Sequence, residues 1–82
     1  MKHILIVEDD TTFAVMLQTW LSKKKFSVVS VSGIAAAKKT LIESSVDLVL
    51  CDLRLPDGDG IDLLEWVSNR NAVSYTHLRA HE

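Results

Sequence analysis

Read as apolar and polar positions, the chain alternates two patterns three times over. HILIVE, residues 3 to 8, is a short unbroken apolar run rich in branched side chains, the pattern of a strand covered on both faces. DDTTFAVMLQTWLSKKKF follows, with Phe13, Met16, Leu17, Trp20 and Leu21 at helical spacing and Asp or Thr capping candidates at its start, which predicts a helix. FSVVSVS, residues 26 to 32, is β-branched and predicts a second strand. In GIAAAKKTLIESS, Ile34, Ala37 and Leu41 face inward while Lys38, Lys39 and Glu43 face out, and the small alanines fit a helix lying close to a sheet. VDLVLCD, residues 46 to 52, is the third apolar strand. GIDLLEWVSNR, residues 60 to 70, is a third helix, with either Ile61, Leu64 and Val67 or Leu63 and Trp66 inward. Strands alternating with helices at this spacing imply right-handed crossovers and a parallel sheet, hence a doubly wound α/β domain.

The pattern ends at NAVSYTHLRAHE. A doubly wound sheet needs another apolar strand here, yet Ala72 and Val73 are followed by Ser, Tyr, Thr, His, Arg and His. The chain therefore reads as a partial domain over residues 1–70 and a polar, non-native-looking tail over 71–82 with no strand of the earlier kind in it; a polar fourth strand or loop is the alternative. The tail resembles a run that recurs at the ends of fragmentary gene predictions, adaptor sequence read as protein, so no function is assigned to His77 or His81. Without a fourth strand, VDLVLC becomes an exposed sheet edge and a predicted site of self-association.

Composition adds exclusions. At 82 residues the chain holds one domain at most, near the lower limit for a core without disulfides or metals. Apolar residues at 48% and charged residues at 24% are the balance of a globular chain. A net charge of -2 leaves no basic footprint for nucleic acid, and Lys23, Lys24 and Lys25 read as a solvated helix end. The single Cys51 excludes an internal disulfide and suits a reducing compartment. No signal-peptide core or membrane-length apolar run is present, so the expected location is the cytoplasm.

Candidate chemistry sits at the strand ends. An apolar run buried on both faces should end in something bland, yet the third strand ends in Asp52 and the first in Glu8, Asp9 and Asp10. In open parallel sheets, ligands bind beyond the carboxyl ends of the strands where strand order reverses, and in flavodoxin-like sheets ordered 2-1-3-4-5 that point lies between the first and third strands. Neighbouring strands lie about 4.8 Å apart, so these acids converge. Paired carboxylates at 4 Å repel by roughly 4 kcal/mol at an effective dielectric near 20. Protonation of one acid relieves this; a hard divalent cation such as Mg²⁺ relieves it and leaves all of them ionised. Asp is also an established nucleophile toward phosphorus. Asp52 is thus the candidate nucleophile, with Glu8 and Asp9 holding the ion; capping of turns and helices is the competing explanation for each acid taken singly. LPDGDG is a rigid loop through Pro56 and its glycines. A calcium loop counted from Asp57 would need an acid at Ser68, so Asp57, Asp59 and Asp62 read as turn formers and a helix cap.

The blocks ILIVEDD and VDLVLCDLRLPDGDGIDLL, with the spacing between them, closely resemble the receiver domain of bacterial two-component response regulators from about Lys2 to Asn69. The resemblance implies a flavodoxin-like receiver fold truncated after about the third helix, Asp52 as phosphoacceptor, and Glu8 and Asp9 as the acidic pair binding Mg²⁺. It also implies that the backbone carbonyl of Arg54, two residues after the acceptor, completes the metal ligands. Pro56 and Gly60 match loop positions four and eight beyond the acceptor. A sensor histidine kinase is implied as phosphodonor, and an output domain, which the fifteen-residue block DLRLPDGDGIDLLEW inclines toward DNA binding, as the recipient of the signal. The family's switch hydroxyl falls where this chain has Glu82, and its fifth-strand Lys falls beyond it. Full phosphotransfer by these residues alone is accordingly not expected. Two rivals are an aspartyl-nucleophile phosphatase of the haloacid-dehalogenase type and a phosphorylation-independent receiver-like binding module. The first needs an Asp where Arg54 stands; the second usually lacks part of the acidic set, which is complete here.

Overall fold

The computed structural model describes residues 2–69 and 74–78. Its main elements are strand β1 (His3–Val7), helix α1 (Thr11–Lys23), β2 (Ser27–Val31), α2 (Ile34–Glu43) and β3 (Leu48–Asp52). A short hairpin of β4 (Arg54–Leu55) and β5 (Gly58–Asp59) leads into α3 (Gly60–Ser68), and β6 (Ser74–Leu78) closes the series. The main sheet is parallel throughout, in the order β2-β1-β3-β6, so the first strand is central and strand order reverses between β1 and β3.

Because side chains alternate across a strand, each apolar run feeds two cores. Leu5 and Val7 of β1 and Val49 and Cys51 of β3 point to the face covered by α2 and α3, where they meet Ile34, Ala37, Leu41, Leu63 and Val67. Ile4 and Ile6 point to the other face and pack on Leu21 of α1, with Leu17, Phe26, Val28, Leu48 and Leu50 around them. The doubly wound reading is therefore observed. Two helix faces differ from expectation. Met16 and Trp20 of α1 are exposed while Ala14 and Leu21 are buried, since only one narrow stripe of the helix meets the sheet. On α3 the inward pair is Leu63 and Val67, with Ile61 exposed and Trp66 partly buried at the rim beneath Lys38.

Asp10 begins α1 by accepting from the Phe13 N–H at 3.1 Å. The helix ends as Lys25 takes a positive φ of 70° and the Phe26 N–H returns to the Leu21 carbonyl, so the lysine run closes the helix as predicted.

The largest departure is β6. Among the described residues no apolar strand of the earlier kind is present here, but Ser74 to Leu78 form the polar strand that was the lesser reading, paired in register with Leu48 to Asp52. The ladder needs only backbone groups, and one half-buried residue, Tyr75, covers the α3 side of the new strand. β3 is consequently interior to the sheet and not its edge, which removes the physical basis for the predicted self-association through VDLVLC. His81 and Glu82 lie outside the described residues; on β6 the residue level with Asp52 is Leu78.

Candidate functional site

β1 and β3 run side by side with Val7 opposite Cys51. The next residue on each strand is an acid, Glu8 and Asp52, so the register itself sets two carboxylates level at the carboxyl end of the sheet. Both are buried, at 2% and 8% exposure, whereas Asp9 is exposed at the rim. One carboxylate oxygen from each of Glu8, Asp9 and Asp52 lies within 4.8 Å of the other two. The three candidates are thus brought together by two adjacent strand ends.

Local hydrogen bonds orient this cluster. The Glu8 N–H donates to the Val31 carbonyl of β2 at 3.0 Å, tying its backbone into the sheet. Its Oε2 accepts from the Asp10 N–H at 3.0 Å, and Asp10 in turn caps α1. Asp10 is thereby committed to the helix start and, although grouped in sequence with the other strand-end acids, is not part of the carboxylate cluster. Cys51 packs behind the site and donates from its thiol to the Asp52 carbonyl at 3.1 Å. Burial pushes that thiol up, and the neighbouring Asp52 and Glu8 charges push the same way while a hydrogen bond with Tyr75 opposes them. A protonated thiol is a poor metal ligand and nucleophile.

The donor set available to an ion is therefore oxygen only, the preference of Mg²⁺, Mn²⁺ or Ca²⁺ and not of a soft metal. Glu8, Asp9 and Asp52, each with an oxygen within 4.8 Å of the other two, are the groups that could converge on one such ion. Arg54 begins β4 directly beyond the Asp52–Leu53 step, its side chain exposed and its register partner Asp59. The base of this hairpin is drawn tight: the Gly60 N–H donates to the Leu53 carbonyl at 2.7 Å, and a Cβ on Gly60 would sit 2.5 Å from the Asp52 carbonyl oxygen.

Asp57 does more than its turn-forming sequence implies. Asp57 was expected to form a turn or cap the helix that follows it, but its carboxylate reaches back to α2. Oδ1 accepts from the Ile34 N–H at 2.8 Å and Oδ2 from the Ala35 N–H at 3.0 Å. The available clue was that GIAAAK opens with Gly33, which has no side chain with which to cap its own helix. These backbone donors, Ala35 first and Ile34 second, hold the Asp57 carboxyl below its ordinary range. A carboxyl depressed on folding adds stability above its unfolded value and loses it as pH falls through the lower folded value. Thermal melts of the wild type and Asp57→Ala are accordingly expected to differ at neutral pH and to converge in acid; a gap of constant size down to the acid limit would assign the effect to something other than this charge.

Among the described residues no helix is long and apolar enough to cross a membrane. A family model for the response regulator receiver domain matches residues 4–79. The transcriptional regulatory protein GltR of Pseudomonas aeruginosa is 36% identical over 73 residues, covering 89% of this chain and 30% of its own length. The chain thus spans less than a third of that relative. Among solved structures, the MaeR response regulator bound to beryllium trifluoride superposes with a TM-score of 0.90 at 40% identity, over 98% of this chain and 68% of that one. The non-phosphorylated HemR receiver domain from Leptospira biflexa does so with a TM-score of 0.86 at 35% identity, over 94% of this chain and 63% of that one.

Proposed function

Because this chain belongs to the response regulator receiver domain family, the signalling domain of two-component systems, we propose that Asp52 is the residue on which the whole regulator accepts a phosphoryl group from the phosphohistidine of a sensor kinase. The observation that carries the reading is the buried Asp52 carboxylate, level with Glu8 at the end of two adjacent central strands and within 4.8 Å of two further acids.

Glu8, Asp9 and Asp52, with the Arg54 backbone carbonyl, are the groups that would hold Mg²⁺. When bound, the ion supplies positive charge for the phosphoryl oxygens and for the clustered carboxylates. A carboxylate oxygen of Asp52 attacks phosphorus, an acyl phosphate bond forms, the bond from phosphorus to the imidazole nitrogen breaks, and its electron pair leaves with the imidazole. The domain turns over no substrate of its own in this reading; it stores the group as a signal. An output domain then receives that signal, and GltR, named a transcriptional regulator, favours a DNA-binding one. The reading places the chain in the cytoplasm, with no nucleic-acid contact by this segment, whose net charge is -2.

Beryllium trifluoride, which bonds to a carboxylate oxygen as a phosphoryl surrogate, tests the acceptor without a kinase. Titration followed by fluorescence of the two tryptophans, Trp20 and Trp66, is expected to saturate only when Mg²⁺ is present and only with Asp52 intact. Saturation without Mg²⁺, or in Asp52→Asn, would overturn the assignment.

A further inference from the structure

The turn between β4 and β5 has Pro56 and Asp57 at its centre, and it leans on the start of α2. Asp57 meets two backbone N–H groups there, those of Ile34 and Ala35, which a helix start leaves without partners inside the helix. The approach is close enough that a Cβ on Gly33 would stand 3.0 Å from Asp57 Oδ1. Beside it Gly58, at a φ of 150°, lies where a Cβ would meet Ile34 Cδ1 at 2.8 Å. The hairpin is therefore held twice. Its base is fastened to the end of β3 by the bond between Gly60 and Leu53, and its tip is fastened to α2 by Asp57. Arg54 lies between these anchors, two residues past Asp52.

We propose that Asp57 is a positioning residue for the phosphoryl site: its two-oxygen grip on α2 fixes the hairpin that carries Arg54 and so holds the Arg54 backbone carbonyl in place relative to the end of β3. The inference rests on the reading of Glu8, Asp9 and Asp52 as the Mg²⁺ site. A carboxylate suits the task for two reasons. It offers two acceptors to two donors, and its charge is favoured at a helix N-terminus. The same bonds hold the Asp57 carboxyl below its ordinary range, so it is ionised at neutral pH. An ordinary cap would come from the residue preceding the helix; this one comes from 23 residues away along the chain and joins two segments as it caps.

Capping and tethering separate in a two-step experiment. Asp57→Ala removes both. Adding Gly33→Ser returns a side-chain oxygen to the α2 N-cap, whose backbone is extended at φ -159° and ψ 174° and so accepts serine, in space that the missing carboxylate has vacated. It does not rejoin the hairpin to the helix. Melting temperature and Mg²⁺ affinity, the latter from tryptophan fluorescence with the metal alone, are read on wild type, Asp57→Ala and the double variant. The expected result is a Tm about 4–8 °C lower in Asp57→Ala, recovered in the double variant, with Mg²⁺ binding about tenfold weaker in both. Mg²⁺ affinity within twofold of wild type in either variant would overturn the proposal, because the tether would then be unnecessary or the cap alone sufficient. A wild type that binds no Mg²⁺ would instead overturn the reading of the acidic cluster, and this inference with it.

Discussion

Asp52→Asn is expected to move stability and metal affinity in opposite directions. Three carboxylates with oxygens within 4.8 Å of one another repel by roughly 3 kcal/mol per pair at an effective dielectric near 20. Solvent around exposed Asp9 reduces this, leaving about 1–2 kcal/mol of relief when one charge is removed. Asparagine keeps the shape of the aspartate, and the metal-free variant should melt about 4–16 °C above wild type. Mg²⁺ reverses the order. Wild type should gain stability as the ion binds, by mass action. The variant lacks one of the three proposed ligand charges, and its affinity should fall beyond the roughly 10–100-fold typical of losing only an outer partner. Melts with and without Mg²⁺, run on both proteins, thus give a crossing. A variant less stable than wild type without metal would mean that the fold uses the Asp52 charge structurally, and equal Mg²⁺ affinities would remove Asp52 from the ligand set.

Much of this site was legible because two rules act on the same residues. Unbroken apolar runs mark strands buried on both faces, and a carboxylate ending such a run has no packing reason to be there; Glu8 and Asp52 broke the pattern together, and the register of β1 and β3 sets them level. What stayed hidden depends on contacts between distant residues. Asp57 sits in a turn-forming sequence, and nothing local indicates that its partners are Ile34 and Ala35. Met16 and Trp20 share the helical period of the true core positions, so periodicity assigned them to a face that the sheet does not reach. β6 escaped for the opposite reason. An edge strand is specified by the neighbour whose backbone groups it satisfies, and a polar run such as SYTHL pairs with β3 through its main chain, with Tyr75 adding an apolar contact.

Gly60→Ala, by contrast with Asp52→Asn, should lower stability and metal affinity together. Gly60 is buried at the first position of α3, and a methyl group there would lie 2.5 Å from the Asp52 carbonyl oxygen, 3.2 Å from Leu53 Cα and 3.3 Å from the Asp52 carbonyl carbon. All three are backbone atoms, so no rotamer change relieves the clash. Either α3 or the end of β3 must move. Movement of α3 breaks the bond from the Gly60 N–H to the Leu53 carbonyl and the one that the Gly60 carbonyl accepts from the Tyr75 hydroxyl at 2.6 Å. Movement of β3 displaces the Asp52 carboxylate itself. Overpacking ordinarily costs about 1–3 kcal/mol, and a contact made wholly against backbone belongs at the upper end, equivalent to a Tm about 12–24 °C lower for a domain of this size. Mg²⁺ binding should weaken in proportion to the displacement of Asp52, although no charge has changed. Comparing the two variants separates the causes: Asp52→Asn removes a charge and keeps the geometry, and Gly60→Ala keeps every charge and spoils the geometry. A Gly60→Ala protein that melts with wild type and binds Mg²⁺ normally would show that the Asp52–Gly60 approach is looser in solution than the 2.5 Å separation requires.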